Sequence, residues 1–242
     1  MTRAVEAEVA FKELYVCREL LKIQSQGESS AGHNAHLSDK IIEKLLSLNV
    51  PVFETTEAVF AKISYGEREE GLLAVGALRQ RSFRDFPSAA CPFFVVIERV
   101  EKPGNLGAIL RTCDGAGVDG VIVCDGKTDI YNPNVIRASL GTVFSNTVVT
   151  GTNQEAIDFL KSRNIKICAA LPQAKTIYTE ENLNRAVAVI VGSEQDGLTK
   201  FWTERADVKV RIPMKGRADS LNVAASTAVL VYEVIRQRMN NR

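Results

Sequence analysis

Long apolar runs are missing from this 242-residue sequence. No run approaches the roughly 20 residues that a helix needs to cross a bilayer. The N-terminal stretch MTRAVEAEVAFKEL carries acidic residues and lacks an unbroken apolar core, so it does not read as a signal peptide. We therefore expect a cytoplasmic protein.

An excess of one charge sign is also missing, because 30 basic residues balance 29 acidic ones for a net charge of +1. Global charge therefore does not predict binding to a polyanion, and such a site would have to be a local patch. Two basic stretches are candidates, although each is equally typical of a solvated surface. They contain Arg79, Arg81 and Arg84, and Arg205, Lys209, Arg211, Lys215 and Arg217.

Cysteine and histidine are sparse and show no metal-binding spacing. The five cysteines are scattered and form no CxxC pair, which favours buried thiols over a zinc site or disulfides. The only histidines, His33 and His36, lie in a polar stretch at 24–36 that is typical of a flexible loop. We expect no metal.

No match to a nucleotide-binding glycine motif in this sequence stands between a predicted strand and a predicted helix, as a true one would. GAGVDG (115–120) matches G-x-G-x-x-G, but it follows a predicted helix and precedes a predicted strand, the reverse of the dinucleotide fingerprint. It is instead typical of a helix C-cap and turn. No P-loop motif occurs, so nicotinamide, flavin and P-loop chemistry are disfavoured.

The first 87 residues predict a small α/β module. Helical spacing of apolar residues covers 8–23, and Ser38 or Asp39 is expected to cap a second helix that ends at Leu48. A strand is expected at 50–53, a threonine-capped helix at 55–64 and a strand at 71–78. The basic, proline-containing stretch 79–92 is typical of a linker.

From residue 92 onward, continuous Val/Ile-rich segments alternate with helical ones. This alternation predicts a parallel sheet covered by helices on both faces, with ligands at the carboxyl ends of the strands. The expected strands are 93–100, 120–125, 146–150, 165–171, 186–192 and 208–214. The expected helices are 106–117, 132–144, 155–163 and 220–239.

Three loop segments at these strand ends carry polar groups suited to chemistry. NLGAILRT (105–112) places Asn105, a candidate helix cap, six residues before Arg111, whose apolar neighbours indicate a half-buried cation that needs an anionic partner. VGSEQDGL (191–198) places Glu194 in a glycine-flanked loop. IPMKGRADSLNV (212–223) leads through Ser220 and Asn222 into a helix rich in small residues.

In this order, the three segments resemble the motifs of the SpoU/TrmH family of S-adenosylmethionine-dependent RNA ribose 2′-O-methyltransferases, in the SPOUT superfamily. The stretch 132–144 is similar to the family's intervening segment, with Arg137, Ser139 and Gly141 in place. Ser193 departs from the asparagine that many members carry. The resemblance covers residues 97–238.

The resemblance implies a two-domain homodimer. Residues 92–242 would form a knotted SPOUT methyltransferase domain, an α/β domain whose parallel sheet ends in a C-terminal trefoil knot, with the active site at the dimer interface. Residues 1–87 would form a small ribosomal-protein-like RNA substrate-binding domain, a weaker likeness carried by residues 51–76. The cofactor would be S-adenosylmethionine.

The resemblance also implies the site residues. The methyl donor would lie against Ala170, Leu171, Gly192, Ile212 and Leu221. Arg111 would be the activating residue, with Asn105, Glu194, Ser220 and Asn222 orienting it, the ribose and the donor. Arg111 and Arg137 would contact RNA phosphate.

Three functions remain open at this stage. By analogy, an N-terminal substrate module without a basic C-terminal extension favours ribosomal RNA as the substrate. The same chemistry on transfer RNA is an alternative. The third is a catalytically inactive scaffold that binds RNA or the ribosome, which the intact motif residues disfavour.

Overall fold

The computed structural model describes residues 1–26, 31–66 and 70–240, with side chains omitted at 24–26 and 31–36. Contacts between Cα atoms divide the chain into two compact units, Met1–Arg79 and Gln80–Arg242. Each unit has its own sheet and its own core. The two are therefore described separately.

The first unit is a three-stranded sheet packed with helices. Its strands are β1 (Phe11–Val16), β2 (Val52–Glu54) and β3 (Leu72–Gly76), in the order β2-β1-β3. Strand β1 pairs parallel to β2 and antiparallel to β3. The helices are α1 (Thr2–Glu6), α2 (Arg18–Gln26), α3 (Ala31–Ser47) and α4 (Glu57–Ile63).

Two sequence predictions for this unit are wrong. Residues 11–16 form the central strand rather than part of a helix, because Leu14 and Val16 are buried at a period of two and the segment pairs on both sides. The second helix begins at Ala31, so residues 31–36, which include both histidines, are helical rather than a loop. Residues 27–30 of that predicted loop lie outside the described residues. The predicted threonine cap is confirmed, since Thr56 accepts a hydrogen bond from the Val59 amide.

The second unit contains a seven-stranded sheet in which every pairing is parallel. Its order is β6-β5-β4-β9-β7-β10-β8. The strands are β4 (Phe93–Glu98), β5 (Gly120–Cys124), β6 (Val148–Gly151), β7 (Lys166–Ala170), β8 (Thr176–Ile177), β9 (Val187–Val191) and β10 (Val208–Arg211). The helices are α5 (Pro103–Ala116), α6 (Pro133–Ala138), α7 (Thr142–Ser145), α8 (Asn153–Ser162), α9 (Lys200–Arg205) and α10 (Val223–Met239).

Apolar residues on both faces of the strands explain this three-layer arrangement. Phe93, Val95 and Ile97 of β4 belong to the cluster that includes residues of α5 and α10. The alternate residues Phe94 and Val96 belong to the cluster that includes residues of α8 and α9. A sheet buried on both sides needs continuous rather than alternating apolar strands, so the predicted α/β class with a helix-covered parallel sheet is confirmed.

Two stretches of this unit differ from their predictions. The segment 79–92 is not an extended linker: Phe86 is buried against Phe94, and residues from 80 onward belong to the second unit. The predicted helix 132–144 is interrupted between α6 and α7, where Leu140 has a φ of 53° and Gly141 a φ of 81°. Left-handed backbone at two successive residues cannot continue a right-handed helix.

The G-x-G-x-x-G match at residues 115–120 is the end of a helix, as its sequence context predicts. Gly117 caps α5 with a left-handed φ of 64°, and its amide donates to the carbonyls of Asp114 and Cys113. Strand β5 then begins at Gly120. A Cβ atom on Gly120 would lie 2.3 Å from the Phe86 ring, so this glycine allows the close approach of that ring.

The cysteines differ in exposure, which gives a first testable expectation. Cys91 is exposed, whereas burial raises the pKa of the Cys168 thiol to about 12 and raises those of Cys113 and Cys124 as well. Because the thiolate is the reactive form, a thiol reagent at pH 8 should modify Cys91 rapidly and the buried thiols only on unfolding. Counting modified thiols over time checks this, and Cys91→Ser should remove the fast phase.

Candidate active site

A cavity of about 280 Å³ lies at the carboxyl ends of β7, β9 and β10. Three chain segments enclose it, following β7 at Leu171, β9 at Gly192 and β10 at Ile212, and the start of α10 closes it. All five residues predicted to hold the methyl donor line this cavity. They are Ala170, Leu171, Gly192, Ile212 and Leu221.

The cavity wall combines apolar side chains with acidic ones. Glu194, Asp196 and Asp219 contribute carboxylates to the lining, and Gln173 and Ser220 contribute neutral polar groups. Such a wall can accommodate a flat apolar ring system while its carboxylates attract a cationic group. Ser220 therefore lies beside the five residues that are predicted to hold the methyl donor.

The loop between β9 and α9, residues 192–199, is closed by a short backbone ladder. Ser193 and Gly197 exchange two backbone hydrogen bonds of 3.2 and 3.1 Å. The Ser193 hydroxyl also accepts from the Asp196 amide at 3.1 Å. Gly192 packs directly on this ladder, because a Cβ atom there would lie only 2.2 Å from the carbonyl carbon of Gly197. Backbone therefore forms this side of the cavity.

Three of the predicted catalytic residues are joined by hydrogen bonds. The Asn222 amide donates to the Asn105 side-chain oxygen at 3.2 Å, and the Asn105 amide in turn donates to the Glu194 carboxylate. Asn222 also caps α10 by accepting from the Ala224 amide at 2.9 Å. The three motifs, separated by up to 117 positions, thus meet at one point.

Asn105 does not cap α5, which corrects the prediction. The helix begins two residues earlier, with Pro103 at its first position and Lys102 as a cap without a side-chain hydrogen bond. Proline suits that position because its missing N–H would be unpaired there anyway. The Asn105 side chain is consequently available for Glu194 and Asn222.

Arg111 lies on the predicted helix but is exposed rather than half-buried. Leu110 and Cys113 face the core, but Arg111 is exposed on the opposite side of α5, and the described residues give it no ion pair or hydrogen bond. It does not line the 280 Å³ cavity. The helical rise places it roughly 9 Å along the axis from Asn105. The expected anionic partner is therefore not within the described part of its own chain.

Arg137 is exposed near the end of α6, which packs closely on α5. Gly107 allows that packing, since a Cβ atom there would lie 2.5 Å from the Ala138 side chain. Arg137, like Arg111, stays outside the cavity lining. The two predicted RNA contacts therefore lie apart from the five residues that are predicted to hold the methyl donor.

The two basic stretches have mixed environments. The Arg81 guanidinium donates to the Phe144 carbonyl at 3.4 Å, and that of Arg205 stacks 4.4 Å over the Phe201 ring. Beside the first motif, Lys127 binds Glu101 and holds the pKa of that carboxyl below its usual range. Lys127 is therefore less suited to bind an external anion than Arg137.

One polar residue at this edge of the sheet was missed by sequence reasoning. Glu98, the last residue of β4, is fully buried and accepts three hydrogen bonds. A single charged residue at the end of the apolar run FFVVIE was the only available signal. Its partners come from α8 and from the 192–199 loop.

Neither a metal centre nor a membrane segment is found in the described ranges. Within residues 1–26, 31–66 and 70–240, no three His, Cys, Asp or Glu side chains converge as metal ligands would. Among the helices of those same ranges, none has the length and apolar character that a membrane crossing requires.

Comparisons with known proteins match both units. The SpoU rRNA Methylase family model matches residues 92–232. The 23S rRNA (guanosine(2553)-2'-O)-methyltransferase RlmP of Bacillus subtilis (strain 168) is 30% identical over 189 residues, 78% of this chain and 74% of that protein. A crystal structure of an RNA 2'-O ribose methyltransferase aligns with a TM-score of 0.78 at 35% identity, covering 98% of this chain and 85% of the other. An AdoMet-bound rRNA methyltransferase from Sinorhizobium meliloti, 24% identical, shares the fold with a TM-score of 0.83, covering 98% and 85% of the two chains.

Proposed function

Because the chain belongs to the SpoU rRNA methylase family, we propose that it transfers a methyl group from S-adenosylmethionine to a ribose 2′-hydroxyl of RNA. Ribosomal RNA is the proposed substrate, since the relative from Bacillus subtilis is named for 23S rRNA. One observation carries the proposal: the hydrogen-bonded chain Asn222–Asn105–Glu194 stands beside a cavity that all five predicted donor residues line.

The cavity residues fit S-adenosylmethionine chemically. Ala170, Leu171, Ile212 and Leu221 would supply apolar contacts for the cofactor, and the backbone at Gly192 would supply a wall without side chains. The lining carboxylates, Glu194 among them, favour a ligand whose reactive centre is cationic. When bound, the cofactor supplies a sulfonium methyl group for in-line displacement. No metal is required by this chemistry.

Arg111 is proposed to act on the RNA rather than as a base. Arginine keeps its proton in proteins, so it cannot accept the proton of the 2′-hydroxyl. Its guanidinium can clamp the neighbouring phosphate and stabilise the developing alkoxide, while the phosphate or a water molecule takes the proton. Asn105, Glu194, Ser220 and Asn222 would orient the ribose and the donor. Arg137 would hold a further phosphate and so position the RNA.

We also propose a homodimer in which Arg111 serves the partner's donor cavity. The outward face of α5 presents Arg111 between small residues, Gly104, Ala108 and Gly115. The adjacent α10 exposes 51% of Tyr232 and 68% of Met239. A partly apolar exposed surface that also carries a catalytic candidate outside its own cavity is what a shared active site requires.

A mixed-subunit experiment tests this arrangement. Arg111→Ala and Gly192→Ala subunits, each inactive alone, should regain about a quarter of wild-type methyl transfer when co-expressed, because random pairing gives half hybrids with one working site each. Sedimentation should report a dimer for every sample. Hybrids without activity would contradict the shared site, and a monomeric wild type would contradict the dimer.

We further propose that the second unit is knotted. Strand β9 lies between β4 and β7, which both precede it in sequence. Strand β10 likewise lies between two earlier strands, β7 and β8. Loops from 170–173, 191–198 and 212–221 then converge on one cavity. True knots are rare in proteins generally. This strand order, together with the convergence of the three loops, supports the family's trefoil knot for this chain.

The first unit is proposed to bind the RNA substrate as a ribosomal-protein-like domain. It forms its own compact sheet, on which the Tyr15 and Phe53 rings stack with centroids 5.4 Å apart. Phe53 is 46% exposed. Exposed aromatic rings suit the unpaired bases by which proteins recognise RNA sequence.

The substrate class is tested by methyl transfer to separated RNA fractions. Labelled S-adenosylmethionine is incubated with ribosomal RNA and with transfer RNA, each lacking the modification, and incorporation is measured. We expect label in ribosomal RNA. Label confined to transfer RNA would show that transfer RNA, and not ribosomal RNA, is the substrate. If the protein neither transferred methyl groups nor bound S-adenosylmethionine, an inactive RNA-binding scaffold would be favoured.

A further inference from the structure

Glu98 is a buried carboxylate that the mechanism above does not use. It ends β4 with 0% of its surface exposed. Its oxygens accept from the Thr199 amide at 2.8 Å, from the Thr199 hydroxyl at 2.7 Å and from the Asn153 side-chain amide at 2.7 Å. Burying a carboxylate is unfavourable unless hydrogen-bond donors surround it, and Thr199 and Asn153 supply those donors here.

Thr199 uses both of its donors on Glu98. It stands at the N-cap of α9, where a threonine oxygen ordinarily accepts from the first helical turn, yet it makes no such capping bond. Its hydroxyl instead donates to Glu98, as does its backbone amide. The residue is therefore tied to the end of β4 rather than to its own helix.

A second connection runs through Asn153, the first residue of α8. Its amide nitrogen donates to Glu98 and its oxygen accepts from the Trp202 indole N–H at 2.7 Å. Trp202 is itself fully buried, in α9. Glu98 thus holds the end of the 192–199 loop directly through Thr199, and holds α9 indirectly through Asn153 and Trp202.

The segment held in this way carries one wall of the cavity. Thr199 follows Gly197 by two residues, and Gly197 is paired with Ser193 through the two backbone hydrogen bonds of the loop. Glu194, next to Ser193, accepts the Asn105 amide and lines the cavity. A displacement of Thr199 would therefore be transmitted through the ladder to Glu194.

We propose that Glu98 is a positioning residue that holds the 192–199 loop in the conformation that binds the methyl donor. The inference rests on the proposed function in taking the 280 Å³ cavity as the donor site. Glu98 touches neither the cavity nor the predicted substrate groups, and it acts only through Thr199 and Asn153.

The test is Glu98→Gln, which keeps the shape and one acceptor oxygen but presents an amide group to donors. We expect the Kd of S-adenosylmethionine, by calorimetry on the full chain, to rise at least about tenfold, while the Kd of ribosomal RNA stays within about twofold. Hydrogen exchange at the Gly197 amide, measured without donor, should accelerate at least about tenfold. The number of S-adenosylmethionine molecules bound per chain should stay unchanged. A loss of folded protein would instead lower that number.

A matched pair at Thr199 separates positioning from folding. Thr199→Val removes the hydroxyl and should weaken binding of S-adenosylmethionine. Thr199→Ser keeps the hydroxyl and the backbone amide, so it should bind S-adenosylmethionine as the wild type does. This pair tests the proposal if Glu98→Gln does not fold. Glu180→Gln is the control, because that exposed carboxylate accepts from the Ile177 amide and contacts neither Asn153 nor the loop. An unchanged donor Kd in both Glu98→Gln and Thr199→Val would overturn the proposal.

Failure of the proposed function gives a different result. If the wild-type protein does not bind S-adenosylmethionine at all, the assignment of the cavity is wrong. The role of Glu98 in holding the loop is then tested only by the hydrogen-exchange rate of the Gly197 amide. Accelerated exchange in Glu98→Gln, but not in Glu180→Gln, would then still support its hold on the loop. Equal exchange in all three proteins would overturn it.

Discussion

Arg111→Ala is expected to lower kcat by about 100- to 1000-fold, the usual effect of removing one donor that stabilises a developing oxyanion. The Kd of S-adenosylmethionine should stay within about twofold, because Arg111 does not line the cavity. Single-turnover methyl transfer, with donor affinity measured separately, checks both values. The effect should be on the chemical step rather than on the fold, since the side chain is exposed.

Arg111→Lys is the matched control for that prediction. Lysine keeps the positive charge but loses the planar fork that binds a phosphate through two hydrogen bonds. We expect a loss of kcat smaller than that of Arg111→Ala, with RNA affinity closer to wild type. Full turnover by Arg111→Ala, with unchanged RNA binding, would contradict the role proposed for this residue.

Gly192→Ala is expected to weaken binding of S-adenosylmethionine by at least about 100-fold, because the methyl group has no free space. Its Cβ atom would lie 2.2 Å from the Gly197 carbonyl carbon and 2.4 Å from the Leu198 nitrogen. Both atoms are backbone, so relief requires the 192–199 loop to move. That movement would break the ladder between Ser193 and Gly197 and deform the cavity wall.

Gly216→Ala is the control for that substitution. A Cβ atom on Gly216 meets nothing within 4 Å, and the residue lies outside the cavity lining. Calorimetry should give this variant the donor affinity of the wild type. Wild-type donor affinity in Gly192→Ala would show that the methyl donor does not bind against this loop.

The sequence predicts the second unit's elements well because they obey one simple pattern. Strands such as β4 and β9 are buried at every position, and an unbroken Val/Ile run can report that state directly. The order of strands is different, since no periodicity indicates that β9 inserts between β4 and β7. Strand β1 was missed because the competing helical spacing spans two elements, β1 and α2.

The site shows a similar division. The resemblance predicts roles for Asn105, Glu194 and Asn222, and in the structure Asn105 is hydrogen-bonded to both of the others. Local pattern predicted a capping role for Asn105 and a half-buried position for Arg111. Both predictions are wrong, because α5 begins at Pro103 and Arg111 lies on its exposed face. Glu98 could not be assigned from sequence, since its partners lie 55 and 101 positions away.

The most direct test of the central claim is the position of the transferred methyl group. RNA methylated by the protein with labelled S-adenosylmethionine is hydrolysed in alkali, which needs a free 2′-hydroxyl to cleave the chain. The account predicts that the label resists cleavage and is recovered in dinucleotides containing a 2′-O-methylated ribose. Label recovered in mononucleotides, and therefore on a base, would contradict it.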